Sequence, residues 1–278
     1  RDSSIPSFTD AFFETMSGFT TTGSTILDEI ESLPKSILFW RSMTQWIGGM
    51  GIIVLTIAIL PLLGIGGMEL FVAEAPGPTK DKIHPRIKET AKRLWIIYFS
   101  LTALETVVLM FFGLSFFDAI NHSLTTTSTG GFSTKQQSIA AFQNPFVEAV
   151  IVIFMFLAGT NFTMIYFGLK MKFRKIVNND EFKWYLSAVF VLILLLSFYR
   201  THTSSSDFLH AFREISFQVV SIITTTGYAT ADYTLWGSFL TFIFFLFLFS
   251  GASAGSTSGG IKIVRIILLI KIGLLEFK

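Results

Sequence analysis

The sequence predicts an all-α polytopic membrane protein built from repeated helix, pore-loop, helix units. Three observations predict it: a chain too apolar for one water-soluble core, several apolar stretches of span length, and a Thr-rich turn with glycine that recurs along the chain. Over 278 residues the chain is 51% hydrophobic, 14% charged and holds 32 phenylalanines, with a mean hydropathy of +0.61. Charged residues make up about a quarter of an ordinary soluble domain, and a bilayer selects apolar runs of about twenty residues. The net charge of +2 is small and its basic residues sit in short blocks, which argues against a nucleic-acid partner. The absence of cysteine excludes disulfides and thiolate chemistry. His84, His122, His202 and His210 form no ligand cluster in the sequence, so no zinc site is expected.

In chain order, the stretch up to Phe19 lacks a basic region followed by an unbroken apolar run, so it is no signal peptide; with Arg1 in place of an initiator methionine, the chain is expected to begin in mid-protein. Apolar length places spans at residues 37–63, 94–112, 146–169, 184–198 and 235–249, with a last apolar segment at 261–275, giving five or six crossings. One connection carries Lys80, Lys82, Arg86, Lys88, Lys92 and Arg93, and another Lys170, Lys172, Arg174, Lys175 and Lys183. The positive-inside rule makes both cytoplasmic and puts the Lys- and Arg-poor connections 28–35, 133–144 and 200–208 outside. Trp40, Trp46, Trp95, Trp184 and Trp236 read as interface anchors near span ends.

An internal repeat organises the whole chain. Phe19-Thr20-Thr21-Thr22-Gly23-Ser24-Thr25 recurs as Thr127-Ser128-Thr129-Gly130-Gly131-Phe132-Ser133 and as Ile223-Thr224-Thr225-Thr226-Gly227-Tyr228-Ala229, with Gly23, Gly130 and Gly227 spaced by 107 and then 97 residues. Each turn follows a segment too short to span, opening near Phe12-Phe13-Glu14, Phe116-Phe117-Asp118 and Phe212-Arg213-Glu214, and each precedes a full span. The expected units are 1–79, without a leading span, 80–175, and 176–278, with a broken inner helix.

Non-helical backbone at membrane depth is tolerated only where it is buried in protein or lines a watery cavity. Glycine permits positive φ, so carbonyls around Gly23, Gly130 and Gly227 can turn toward one axis and replace water around a cation. The half-helices add the negative ends of their dipoles, and turns free of carboxylates suit a monovalent ion better than calcium. The candidate filter is therefore Thr21, Thr22, Gly23, Ser128, Thr129, Gly130, Thr225, Thr226 and Gly227, with the ion at the carbonyls of Thr22, Gly23, Thr129, Gly130, Thr226 and Gly227. A lone Thr-Thr-Thr-Gly would read as small residues packing two spans; three copies in one external phase do not.

Gly251, Ala252, Ser253, Ala254, Gly255, Ser256, Thr257, Ser258, Gly259 and Gly260 interrupt an apolar run with small residues, which points to a cavity lining. This is no phosphate-binding loop, because Gly260 is followed by Ile261 and Lys262 and not by Lys-Ser/Thr. Glu105 lies within a span, where a protonated or hydrogen-bonded structural role is expected ahead of ion handling. Asn161 is expected either to line a lower cavity or to bond a neighbouring helix.

The motifs AFFETMSGFTTTGST from Ala11, LPKSILFWRSMTQWIGGMGIIVLTIAILPLLGIGG from Leu33, AEAPGP from Ala73, HSLTTTSTGGFST from His122, FQVVSIITTTGYATADY from Phe217 and GASAGSTSGGIKIVR from Gly251 carry a family resemblance. The chain resembles the TrkH/TrkG/KtrB superfamily of bacterial potassium transporters, and the TrkH branch in particular. That resemblance implies a pseudo-fourfold pore of four units in one chain, with Gly23, Gly130 and Gly227 matching three of four filter glycines. The first outer helix and the fourth unit, with its pore-facing arginine, have no counterpart here, so a fragment is expected. Also implied are a flexible gate at Gly251 to Gly260, K+ as transported ion with no organic cofactor, and no enzyme activity. The expected setting is a bacterial inner membrane, with a homodimer and a cytoplasmic nucleotide-binding regulatory subunit as partners. A Na+- or ammonium-permeable relative, or a non-transporting structural membrane subunit, is the alternative.

Overall fold

A computed structural model of the protein describes residues 5, 7–59, 87–204 and 207–276. Its helices are α1 (Phe8–Phe19), α2 (Lys35–Ile59), α3 (Ile87–Phe111), α4 (Phe116–Thr127), α5 (Pro145–Ala158), α6 (Phe162–Leu169), α7 (Phe173–Val177), α8 (Asp180–Ser204), α9 (Phe208–Ile223), α10 (Ser238–Phe247) and α11 (Ile263–Glu276). The described residues form no strand, only one parallel bridge between Ser250 and Ile261. The far end of the 37–63 span, the AEAPGP motif, Lys80, Lys82, His84, Arg86 and part of the 200–208 connection lie outside the described residues.

Helix starts follow capping chemistry. Ser115 precedes α4 and accepts a bond from the Asp118 N–H while its own hydroxyl donates to the Asp118 carboxylate at 2.7 Å, which also places an acid at the positive end of the helix dipole. Asn144 caps α5 by accepting from the N–H groups of Phe146 and Val147, with Pro145 at the first helical position.

Among the described residues, Lys92–Phe111 and Asp180–Ser204 are long and apolar enough to cross a bilayer, with mean hydropathies of 1.9 and 1.8. Their outer faces carry exposed Phe99, Val107, Phe111, Phe190 and Leu195, while Gln45, His122, Thr125 and Ser221 are buried. Apolar outside and polar inside is the arrangement lipid dictates.

Three predicted features come out differently. The span at 146–169 is α5 and α6, bent by 107° at Gly159 to Asn161, because Asn161 caps a fresh helix through the Thr163 N–H at 2.8 Å and the Gly159 carbonyl is taken by Ser253 N at 3.0 Å. The run at 235–249 is a short 3-10 turn, a break at Gly237 with φ 98°, and the ten-residue α10. Only Trp40 and Trp184 are exposed as anchors would be. Trp46 and Trp95 pack with Tyr98 in an interior aromatic cluster, Trp46 donating to Thr102 at 3.0 Å, and Trp236 is buried under the Arg200 guanidinium.

Packing of α1 on α2 centres on a buried ion pair. Arg41 Nε meets Glu14 Oε2 at 3.2 Å with side chains 5% and 3% exposed, and the guanidinium lies 4.1 Å over the Phe132 ring. Removing one partner leaves an uncompensated buried charge. Arg41→Met is therefore expected to destabilise the protein by about 3–5 kcal/mol, and Arg41→Met with Glu14→Gln to recover most of that, read from thermal unfolding in detergent.

Candidate functional site

The three Thr-rich turns share one backbone. Each helix ends with the same pair of closing bonds: Thr21 N to Gly18 O and Thr22 N to Ser17 O; Thr129 N to Thr126 O and Gly130 N to Thr125 O; Thr225 N to Ile222 O and Thr226 N to Ser221 O, all at 2.9–3.0 Å. This is the Schellman closure, whose left-handed residue is usually glycine. Here it is Thr21, Thr129 and Thr225, at φ 53°, 52° and 57°. A β-branched residue held there stores on the order of 1–3 kcal/mol, a cost that clusters at functional sites.

Two residues further on, Gly23, Gly131 and Gly227 take φ of 77°, 77° and 84°. This corrects the predicted register in the second turn: the counterpart of Gly23 and Gly227 is Gly131, and Gly130 occupies the place of Thr22 and Thr226. The closing bonds fix how many residues separate helix end from glycine, and in Thr129-Gly130-Gly131 they select the second glycine.

The turns also touch. A Cβ on Gly23 would strike the Gly130 carbonyl oxygen, and one on Gly131 would strike the Thr226 carbonyl oxygen, whereas Gly227 has nothing within 4 Å. No described residue donates a hydrogen bond to the carbonyls of Thr21, Thr22, Gly23, Thr129, Gly131, Thr225, Thr226 or Gly227. Thr129 and Thr226 are buried, Thr21, Gly23, Gly131 and Thr225 half-buried and Thr22 and Gly227 exposed, so these neutral oxygens are open to a ligand that is not protein, as a cation ligand set must be. The Gly130 carbonyl differs, accepting from Gln45 Nε2 at 2.7 Å.

Sequence reasoning missed how the descending helix is fastened to the extended segment that rises from each turn. Six residues before each cap stand Glu14, His122 and Gln218, all buried. Glu14 accepts from Thr25 Oγ1 at 2.5 Å and Ile26 N at 2.8 Å; His122 Nε2 pairs with Ser133 Oγ at 2.9 Å; Gln218 Nε2 donates to Ala231 O at 2.8 Å. The available signal was a polar residue at a fixed distance from each turn. Tyr228, fully buried, ties the third turn to α4 through the Thr125 hydroxyl and the His122 carbonyl.

The Gly251 to Gly260 loop lies against the turns. Its neck is closed by Gly251 N to Ile261 O at 2.8 Å and Ile263 N to Ala252 O at 3.1 Å. Thr257 Oγ1 donates to Thr127 O at 3.0 Å, Gly259 N donates to Thr225 Oγ1 at 2.6 Å, Ala254 N donates to Glu181, and Phe162 N donates to Gly255 O. Asn161 packs beside Gly255 while capping α6, so it bonds its own helix start and not a neighbouring helix. Glu105 is fully buried beside Thr126. No metal-type cluster of His, Asp and Glu occurs among the described residues.

A family model described as TrkH, cation transport protein, matches residues 1–278. The chain is 46% identical over 276 residues to the Trk system potassium uptake protein TrkH of Escherichia coli strain K12, covering 97% of this chain and 56% of that protein. It is 41% identical over 266 residues to the Trk system potassium uptake protein TrkG of the same strain, covering 95% and 55%. The crystal structure of the potassium transporter TrkH from Vibrio parahaemolyticus aligns with a TM-score of 0.84 at 39% identity, over 98% of this chain and 56% of that one. The chain thus spans about half the length of the curated relatives it matches.

The geometry ranks the glycines. Gly131→Ala meets both a positive φ and a neighbouring backbone oxygen, Gly227→Ala the φ alone. Gly227→Ala is expected to cost about 1 kcal/mol and Gly131→Ala about 2–3 kcal/mol, measured as unfolding midpoints of the purified variants.

Proposed function

The chain belongs to the TrkH family of cation transport proteins, and from that premise we propose that it conducts K+ across a bacterial plasma membrane. One observation carries the reading: the donor-free carbonyls of three abutting turns. Those of Thr22, Gly23, Thr129, Gly131, Thr226 and Gly227 replace the hydration shell of the ion, with Gly130 sharing its oxygen with Gln45. Neutral oxygens without carboxylates favour a weakly hydrated monovalent ion. The ends of α1, α4 and α9 point negative dipole ends toward it. The step is ion translocation, with no bond made or broken and no organic cofactor.

A further turn of the same kind would pack at the open flank of Gly227, completing a fourfold ring. The units 1–79, 80–175 and 176–278 each supply one turn. The Gly251 to Gly260 loop is the gate, and its bonds to Thr127 and Thr225 hold it under the filter in the resting state. A homodimer and a cytoplasmic nucleotide-binding regulator complete the system, the regulator facing the basic stretch of Lys170, Lys172, Arg174, Lys175 and Lys183.

Rb+ uptake competed by Na+ in cells lacking their own K+ uptake tests the filter. Gly131→Ser is expected to improve Na+ competition roughly tenfold, a change of about 1.4 kcal/mol in discrimination; an unaltered ratio would remove the filter assignment and leave a structural role. Deleting residues 255–259 is expected to raise resting flux, and unchanged flux would remove the gate.

A further inference from the structure

In a trans peptide the carbonyl of one residue and the N–H of the next point in opposite directions. Anchoring that N–H in the protein therefore aims the preceding carbonyl the other way. In the second turn the anchor is Gln45, a fully buried residue of α2. Its Oε1 accepts from Phe132 N at 3.1 Å and its Nε2 donates to Gly130 O at 2.7 Å, so one amide grips the backbone on both sides of Gly131.

The other turns use a different device. Ser17 Oγ donates to Ser24 O at 2.6 Å, and Ser221 Oγ donates to Tyr228 O at 2.7 Å. The equivalent position on α4 is Thr125, whose hydroxyl is committed to Asn121 O at 3.0 Å and to Tyr228. No described residue accepts from the Ser24 or Tyr228 N–H as Gln45 accepts from the Phe132 N–H. On α5, the position matching Gln45 is Met155, judged from the parallel contacts of Gly49 with Ser128 and of Gly159 with Thr224. Met155 is buried and carries no donor.

We infer that Gln45 is a specificity-determining positioning residue: by holding Gly130 and Phe132, it turns the Gly131 carbonyl toward the ion path. This rests on the filter reading above. It also makes the first inner helix responsible for the geometry of the second turn, so ion preference depends on a side chain outside the Thr-rich motif.

The test is Rb+ uptake competed by Na+ for the full-length protein, with folded protein quantified by chromatography in detergent. Gln45→Glu keeps the size and the acceptor for Phe132 but sets a carboxylate oxygen against the Gly130 carbonyl; Gln45→Met copies Met155 and removes both bonds. Both variants are expected to let Na+ compete about five- to tenfold better per folded molecule, the factor that one lost buried hydrogen bond represents. A merely structural role would lower the amount of folded protein and leave the ratio alone, and that result overturns the inference. If Gln45→Met fails to fold, Gln45→Glu decides on the same criterion, and loss of folding in both variants counts against a positioning role. Gly131→Ala is the control. A ratio changed by Gly131→Ala but not at Gln45 sinks this inference only, whereas a ratio unmoved by either sinks the filter reading itself.

Discussion

Everything in this fold answers to one constraint: a peptide group in hydrocarbon must find a partner inside the protein. Helices meet it for most of the chain, and where the helices stop at Thr20, Ser128 and Thr224 the closing bonds satisfy the last amides. What remains is a run of carbonyls that no described residue serves, and the surroundings are arranged to keep them that way. Threonines forced into the left-handed region, Gly23 and Gly131 pressed against the neighbouring turn, and buried side chains fastening each helix to the segment rising from its turn all hold oxygen atoms where side chains do not reach them. Thr22 and Gly227 are exposed and Thr21, Gly23, Gly131 and Thr225 half-buried, so these oxygens stay open to a ligand that is not protein.

Much of this was legible in the sequence because it lies in features a chain cannot disguise. Apolar length announced the membrane, and the Thr-Gly turn announced the repeat. The register of the second turn was not legible, because Gly130 and Gly131 are equivalent as letters and only the closing bonds distinguish them. The bend within 146–169 escaped hydropathy for a related reason: Gly159, Thr160 and Asn161 are short enough to pass unnoticed in an apolar window, yet Asn161 is a strong cap. Residue type alone points Trp46, Trp95 and Trp236 to the lipid interface, whereas the Thr102 hydroxyl holds Trp46, the rings of Trp46 and Tyr98 hold Trp95, and the Arg200 guanidinium covers Trp236.

The loop after α10 shows how composition and structure divide the work. Its small residues say that backbone must approach backbone closely. Only the bonds to Thr127, Thr225, Gly159 and Glu181 say what it approaches: two turns, the kink between α5 and α6, and the start of α8. Elements of the second and third repeats therefore meet in it, and none of its anchors can shift without loading the others.

The three fastenings Glu14, His122 and Gln218 carry a consequence of their own. They occupy one position and perform one attachment, but the first is a carboxylate held beside a guanidinium, the second an imidazole and the third a neutral amide. Main chain makes the repeats alike, while side chains keep them individual. A cation lodged between the turns would meet walls of equal shape and unequal polarisability, so the copies, free to drift apart in letter once the backbone was fixed, need not contribute equally to holding it.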